Sequence, residues 1–144
     1  MSCQGKLTDE QKKELREGME ANRIRKVSEA DIIDAAFFMG RDISKKMGND
    51  FDSLKAKSLS EVYNARIYRL KSGDSLLMQI EQQIIEAYVS SANVALADNI
   101  QKIGNDSLLY TFPVMDTLQD RSIVFKFALG IMIPKKEIVL SIEQ

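Results

Sequence analysis

The apolar residues of this chain change their repeat once, near residue 99, and that change limits the folds open to it. Before it they recur at three- and four-residue intervals. After it they alternate, as in Leu108, Tyr110, Phe112 and Val114, and again in Ile123, Phe125, Phe127, Leu129, Ile131 and Ile133. The first spacing predicts helices with one apolar stripe, the second strands with one apolar face. Helices first and an antiparallel meander last predict an α+β layer, N-terminal helices packed on a C-terminal sheet.

Thr8-Asp9-Glu10-Gln11 fits a capping box that opens the first helix, whose apolar contacts are Leu15, Met19 and Ile24. So polar a helix is expected on the outside or as a spacer, with residues 1–27 a tether and 28–144 a single domain. Ser28 predicts the cap of a second helix with the stripe Ile32, Ile33, Ala36, Phe37, Gly40, Ile43 and Met47, stopped by Gly48. Ala36 and Gly40 are small and one turn apart, so another backbone is expected to approach there. They are the candidate helix-packing face of a homodimer. Residues 49–56 are expected to form a loop pinned by Phe51 and Leu54. Ser58-Leu59-Ser60-Glu61 reads as a second capping box, opening a segment that carries Leu59, Val62, Tyr63, Arg66, Ile67 and Leu70; the valine and tyrosines also allow a strand, but the periodicity favours a helix. Ser72-Gly73-Asp74 then leads to a fourth helix over 75–91, with Leu77, Ile80, Ile84 and Tyr88 on one face and Leu76 and Ile85 widening it.

Strands are predicted over 99–103, 108–115 and 122–133, with turns at Gly104-Asn105-Asp106 and at 116–121. The two apolar strand faces are expected to meet the helices. Pro113 cannot donate to a ladder, so its strand is bulged or at an edge there. Pro134-Lys135-Lys136-Glu137 predicts a turn into a last short element ending at Ile142.

Composition narrows the chemistry. The chain of 144 residues has no histidine, and its one cysteine is Cys3, so a Ser-His-Asp or Cys-His arrangement and a zinc site of histidine and cysteine are excluded. Twenty basic against twenty-one acidic side chains give a net charge of -1, which offers no field for nucleic acid. The basic run Lys12, Lys13, Arg16, Arg23, Arg25 and Lys26 is interleaved with acids and reads as a solvated face. Asp31 with Asp34 and Glu81 with Glu86 do not have spacing that sets them apart as catalytic pairs. Asn49-Asp50-Phe51-Asp52 lacks the ligand series of a calcium loop. No Walker loop or dinucleotide fingerprint occurs, and no cofactor or metal is expected. Tyr88, Tyr110, Phe112, Phe125 and Phe127 are candidates to line a small apolar pocket, though alternating rings are first of all a sheet core.

No stretch approaches the ~20 apolar residues of a membrane span. Ser2-Cys3, followed by a polar helix, resembles the end of a bacterial lipobox. That resemblance implies a lipid anchor on Cys3, a leader ahead of it, and a place at the cell envelope. The run from Asp74 to Tyr88, the strand Leu109–Met115 followed by Phe127-Ala128-Leu129-Gly130-Ile131, and the helix from Asp31 to Met47 resemble the PAS-like sensor domains related to c-type haem sensors, over about two thirds of the chain. In that family a Cys-x-x-Cys-His motif between the last strands carries haem. Here the interval is Asp116-Thr117-Leu118-Gln119-Asp120-Arg121, so no haem ligand carries over. The expectation is a non-catalytic ligand-binding or sensory domain of an envelope lipoprotein, taking a small apolar ligand or a protein partner. The alternatives are a cytosolic interaction module dimerising through helix 29–47 and, third, an enzyme working with carboxylates.

Overall fold

The computed structural model describes residues 8–90 and 97–143, with the backbone alone over 18–26. Cys3, and the side chains of Met19 and Ile24, therefore lie outside the described residues. Its elements are α1 (Asp9–Lys26), α2 (Glu29–Met47), α3 (Ser53–Tyr63), β1 (Arg66–Leu70), α4 (Gln79–Ser90), β2 (Asn99–Ile103), β3 (Ser107–Thr117), β4 (Ile123–Pro134) and α5 (Lys135–Ile142). The fold is mixed α+β, with a four-stranded antiparallel sheet in the order β1-β4-β3-β2.

The caps set several boundaries as the sequence implies. Thr8 and Gln11 exchange both hydrogen bonds of a capping box, and the Ser28 hydroxyl accepts from the Asp31 N–H at 3.1 Å. Gly48 ends α2 at φ 75°, a left-handed conformation that favours glycine.

The middle of the chain departs from expectation. Asp52 accepts from the N–H groups of Leu54 and Lys55, so α3 starts at Ser53 rather than Ser58. Leu54, expected to pin a loop, is 81% exposed on that helix, while Phe51 does pack against the core. Asn64 then stops α3 in the left-handed region, and Arg66–Leu70 pairs with β4 instead of continuing the helix. The stripe of Leu59, Tyr63, Ile67 and Leu70 misleads because β1 is covered on both faces: Ile67 and Leu70, three apart, are buried on opposite sides of the sheet and only mimic a helical spacing. α4 is shorter at its start than expected. Asp74 caps a turn through the Leu76 N–H, the Glu81 carboxylate reaches back to the Met78 N–H at 2.9 Å, and Leu76 is left exposed.

Helices cover both faces of the sheet. Ile67, Leu108, Tyr110, Leu129, Ile131 and Ile133 form one core with α2, α3 and α5. Leu70, Leu109 and Ala128 form the other with Ile84, Ile85 and Tyr88 of α4. On that second face the Tyr68 ring crosses β4 over Gly130, where a Cβ would stand 3.1 Å from the ring. The turn at Gly104-Asn105-Asp106 forms as expected. At Pro113 the strand is locally an edge, because β2 stops pairing at Thr111, and a bulge follows between Val114 and Met115. Val114 faces Phe127 but Met115 faces Phe125, so Lys126 is the extra residue. Phe125 and Phe127, expected on one face, are therefore turned to opposite faces.

Ala36 and Gly40 do admit a close neighbour, and it is the chain's own Tyr110. A methyl group on Gly40 would overlap Cγ and Cδ2 of that ring. Both small residues are buried, so they are not open to a second copy of the chain. Gly40→Ala should lower stability by about 1–3 kcal/mol through overpacking, despite alanine's better helix propensity of about 1 kcal/mol. Urea unfolding at neutral pH, with the m value unchanged, is the measurement; an unchanged or raised midpoint would contradict this packing.

Candidate functional site

The five aromatic candidates do not converge on one pocket. Tyr88 and Phe125 stack on the α4 face, with ring centroids 5.8 Å apart and planes at 25°. Tyr110, Phe112 and Phe127 lie on the α2 face, where Phe127 is buried beneath the Arg69 and Lys126 cations. Tyr110 and Phe112 do come together. They line an open cleft of about 550 Å³ with Arg41, Ser44, Lys45, Gly48, Asn49, Ala97 and Asp98. Phe112 is 36% exposed there and is not part of the buried core.

Three elements build this cleft. The second half of α2 supplies Arg41, Ser44 and Lys45 because its buried stripe, Ala36, Gly40, Ile43 and Met47, leaves those positions beside the sheet. β3 supplies Tyr110 and Phe112 by alternation. The residues entering β2 supply Ala97 and Asp98. Asp98 joins the three: its Oδ2 accepts from Arg41 Nε at 2.8 Å and from the Tyr110 hydroxyl at 2.8 Å, and its Oδ1 accepts from Arg41 Nη2 at 3.2 Å. The Arg41 guanidinium also lies over the Phe37 ring, 4.7 Å from its centroid, and Phe37 meets Tyr110 edge-on.

The charges follow from these contacts. The hydrogen bond from Arg41 holds the Asp98 carboxyl below its ordinary value, outweighing the cost of partial burial, and the Tyr110 hydroxyl adds to it. Burial, and then the adjacent Asp98 carboxylate, push the Tyr110 phenol well above its ordinary range. At neutral pH the set is therefore carboxylate, guanidinium and neutral phenol.

A smaller cleft of about 210 Å³ opens on the other face between α4 and β2, lined in part by Tyr88, Ala97 and Gln101. The Tyr88 hydroxyl pairs with buried Thr111 at 2.9 Å and lies 3.4 Å from the Ala97 carbonyl. Tyr88 and Tyr110 thus reach residues 97 and 98 from opposite faces of the sheet.

Among the acidic candidates, Glu81 and Asp52 serve the fold. Glu81 is buried, accepting from the Tyr68 hydroxyl at 2.5 Å and from Met78. Asp52 caps α3, and Asp42 accepts from Tyr63, which itself accepts from Lys46. Asp31 and Asp34 lie on the first turns of α2, and Glu86 sits one turn before Ser90 on α4. Among the described residues no group of three or more cysteine, aspartate and glutamate side chains is placed to hold a metal ion, and no helix is long and apolar enough to cross a membrane. Arg41 and Asp98, which hold the site together, were not signalled by the sequence. They are 57 residues apart, and neither belongs to a motif.

No protein-family model, curated protein or solved structure matches the chain significantly. The fold and its site define an α+β protein with a cationic-rimmed aromatic cleft beside one sheet edge.

A carboxyl held below its ordinary 3.8 stabilises the native state fully above that pH, and the stabilisation is lost as pH falls through the native value. Asp98→Asn should therefore cost about 1 kcal/mol at pH 7, and the gap to the parent protein should close below about pH 4. Urea midpoints from pH 7 to pH 3 test this, and a gap that stays constant with pH would remove the Arg41 pairing as its cause.

Proposed function

We propose that this protein is a non-catalytic ligand-binding domain of PAS-like layout, held at the cell envelope by a lipid on Cys3. The observation that carries the binding reading is the cleft over Tyr110 and Phe112. An exposed ring lies against a fixed polar set in a space of the size small organic ligands occupy. The long β3–β4 hairpin with α2 packed against it supports the PAS-like reading, since those are segments in which the resemblance lies. The polar helix α1 suits a spacer between an anchor and the domain, and its described side chains are exposed.

Native mass spectrometry of the purified protein, after incubation with a small-molecule extract of its source cells, tests the binding reading. A discrete mass increment lost on denaturation is the expected result. Ala97→Trp, at an exposed residue that also borders the smaller cleft, and Asn49→Trp, at an exposed residue that lines this cleft and not the smaller one, should both abolish the increment. Leu140→Trp, outside the cleft on α5, should keep it. No increment in the parent protein, or one that survives Ala97→Trp or Asn49→Trp, would overturn the assignment of the cleft.

One observation favours the interaction-module reading. Phe38 is 77% exposed on the outer side of α2, in a groove with Asp34, Arg41, Asp42 and Lys45. If that face self-associates, sedimentation should give a dimer in the parent protein and a monomer for Phe38→Glu. A monomer in both discards this second reading.

A further inference from the structure

We infer that the ligand of the Tyr110–Phe112 cleft is a small planar carboxylate with an aromatic or similarly flat body; this rests on the cleft being the binding site. The cleft's one acid is already engaged. Asp98 accepts three hydrogen bonds, two from Arg41 and one from Tyr110, and its side chain is 12% exposed. It has little left to offer a ligand's donor or cation.

The cations are in the opposite condition. Asp98 takes the Nε–Nη2 side of the Arg41 guanidinium, which leaves the end-on pair of Nη1 and Nη2 hydrogens unspent on a side chain that is 63% exposed. That edge matches the two oxygens of a carboxylate. Arg41 is also held in place, by Asp98 along one edge and by Phe37 beneath its plane, so little freedom is lost when it binds. Lys45, one turn further along α2, lines the same cleft and makes no ion pair among the described residues. The carbonyls at the end of α2 oppose an anion, but the Gly48 N–H takes up the Ser44 carbonyl, and Lys45 and Lys46 lie in that last turn. The rim carries Arg41 and Lys45 against Asp98, with Asp42 near enough to Lys45 for that charge to lower its carboxyl after its hydrogen bonds from Tyr63 and Lys46, and on the floor Phe112 offers a ring face for stacking.

Amide NMR titration with four probes reads each part of the inference. Benzoate should shift the amides of Arg41, Ser44, Lys45, Asn49 and Phe112. Benzyl alcohol and benzylammonium, which have the ring without the anion, and acetate, which has the anion without the ring, should each bind at least about threefold more weakly. Lys45→Gln and Arg41→Gln, both in the cleft lining, should weaken benzoate by about threefold or more beyond any weakening of benzyl alcohol. Equal binding of benzyl alcohol or benzylammonium overturns the anion and leaves the cleft as a binding site. Equal binding of acetate overturns the flat body. No shift at these residues with any probe overturns the inference as a whole, and the mass increment and its loss in Ala97→Trp and Asn49→Trp then judge the cleft separately.

Discussion

The seat of Tyr110 beneath Gly40 is the contact on which the rest of the molecule is aligned. The ring is fully buried in the centre of the sheet, and α2 can lie this close only because residue 40 has no side chain. That approach fixes the height of α2 above the strands. It thereby fixes where Arg41, the next residue, stands relative to the start of β2. The phenol closes the arrangement, because its hydroxyl extends beyond the apolar core to Asp98, which also holds Arg41. One side chain therefore serves the packing of two layers and the polar framework of the cleft. A buried ring with its hydroxyl satisfied at the margin avoids the cost of an unpaired polar atom.

The bulge at Lys126 has a comparable effect at the other end of the hairpin. Without it, Phe125 and Phe127 would share a face. The extra residue turns Phe125 to the α4 side, where it stacks on Tyr88, and leaves Phe127 beneath Arg69. The bulge is also where β3 no longer has β2 beside it, so the ladder is interrupted where it is already an edge.

Several features were legible because they are local. The caps at Thr8 and Ser28, the stop at Gly48, the strand over Asn99–Ile103 and the unusual position of Pro113 follow from residues within a turn of each other. The errors share a different origin. β1 loses to a helix in the sequence because Ile67 and Leu70 are buried on opposite faces of the sheet, three residues apart, which mimics a helical stripe continuing from Tyr63. The split of the aromatic cluster was hidden because a single unpaired residue reverses the parity of every residue beyond it. Tyr110 and Phe112 were recognisable as candidates, and they do line the cleft. Arg41 and Asp98 were not, since their pairing exists only once α2 and β2 have been brought together by the sheet.

The ionisation of the cleft bears on what it can do. A proton relay at neutral pH needs a group that titrates close to that pH. Asp98 is held charged well below it, Arg41 is held charged far above it, and the Tyr110 phenol is driven upward by the same carboxylate that accepts its hydrogen bond. Each contact moves its partners away from neutrality. Tyr88 is shifted upward as well, by burial. Such a set keeps one pattern of donors and charges from mildly acidic to mildly alkaline conditions. A fixed pattern suits recognition, where a ligand must meet the same surface each time, better than acid–base turnover. On the proposed reading, the pairing of Arg41 with Asp98 and its seat over Phe37 leave the guanidinium positioned before a ligand arrives.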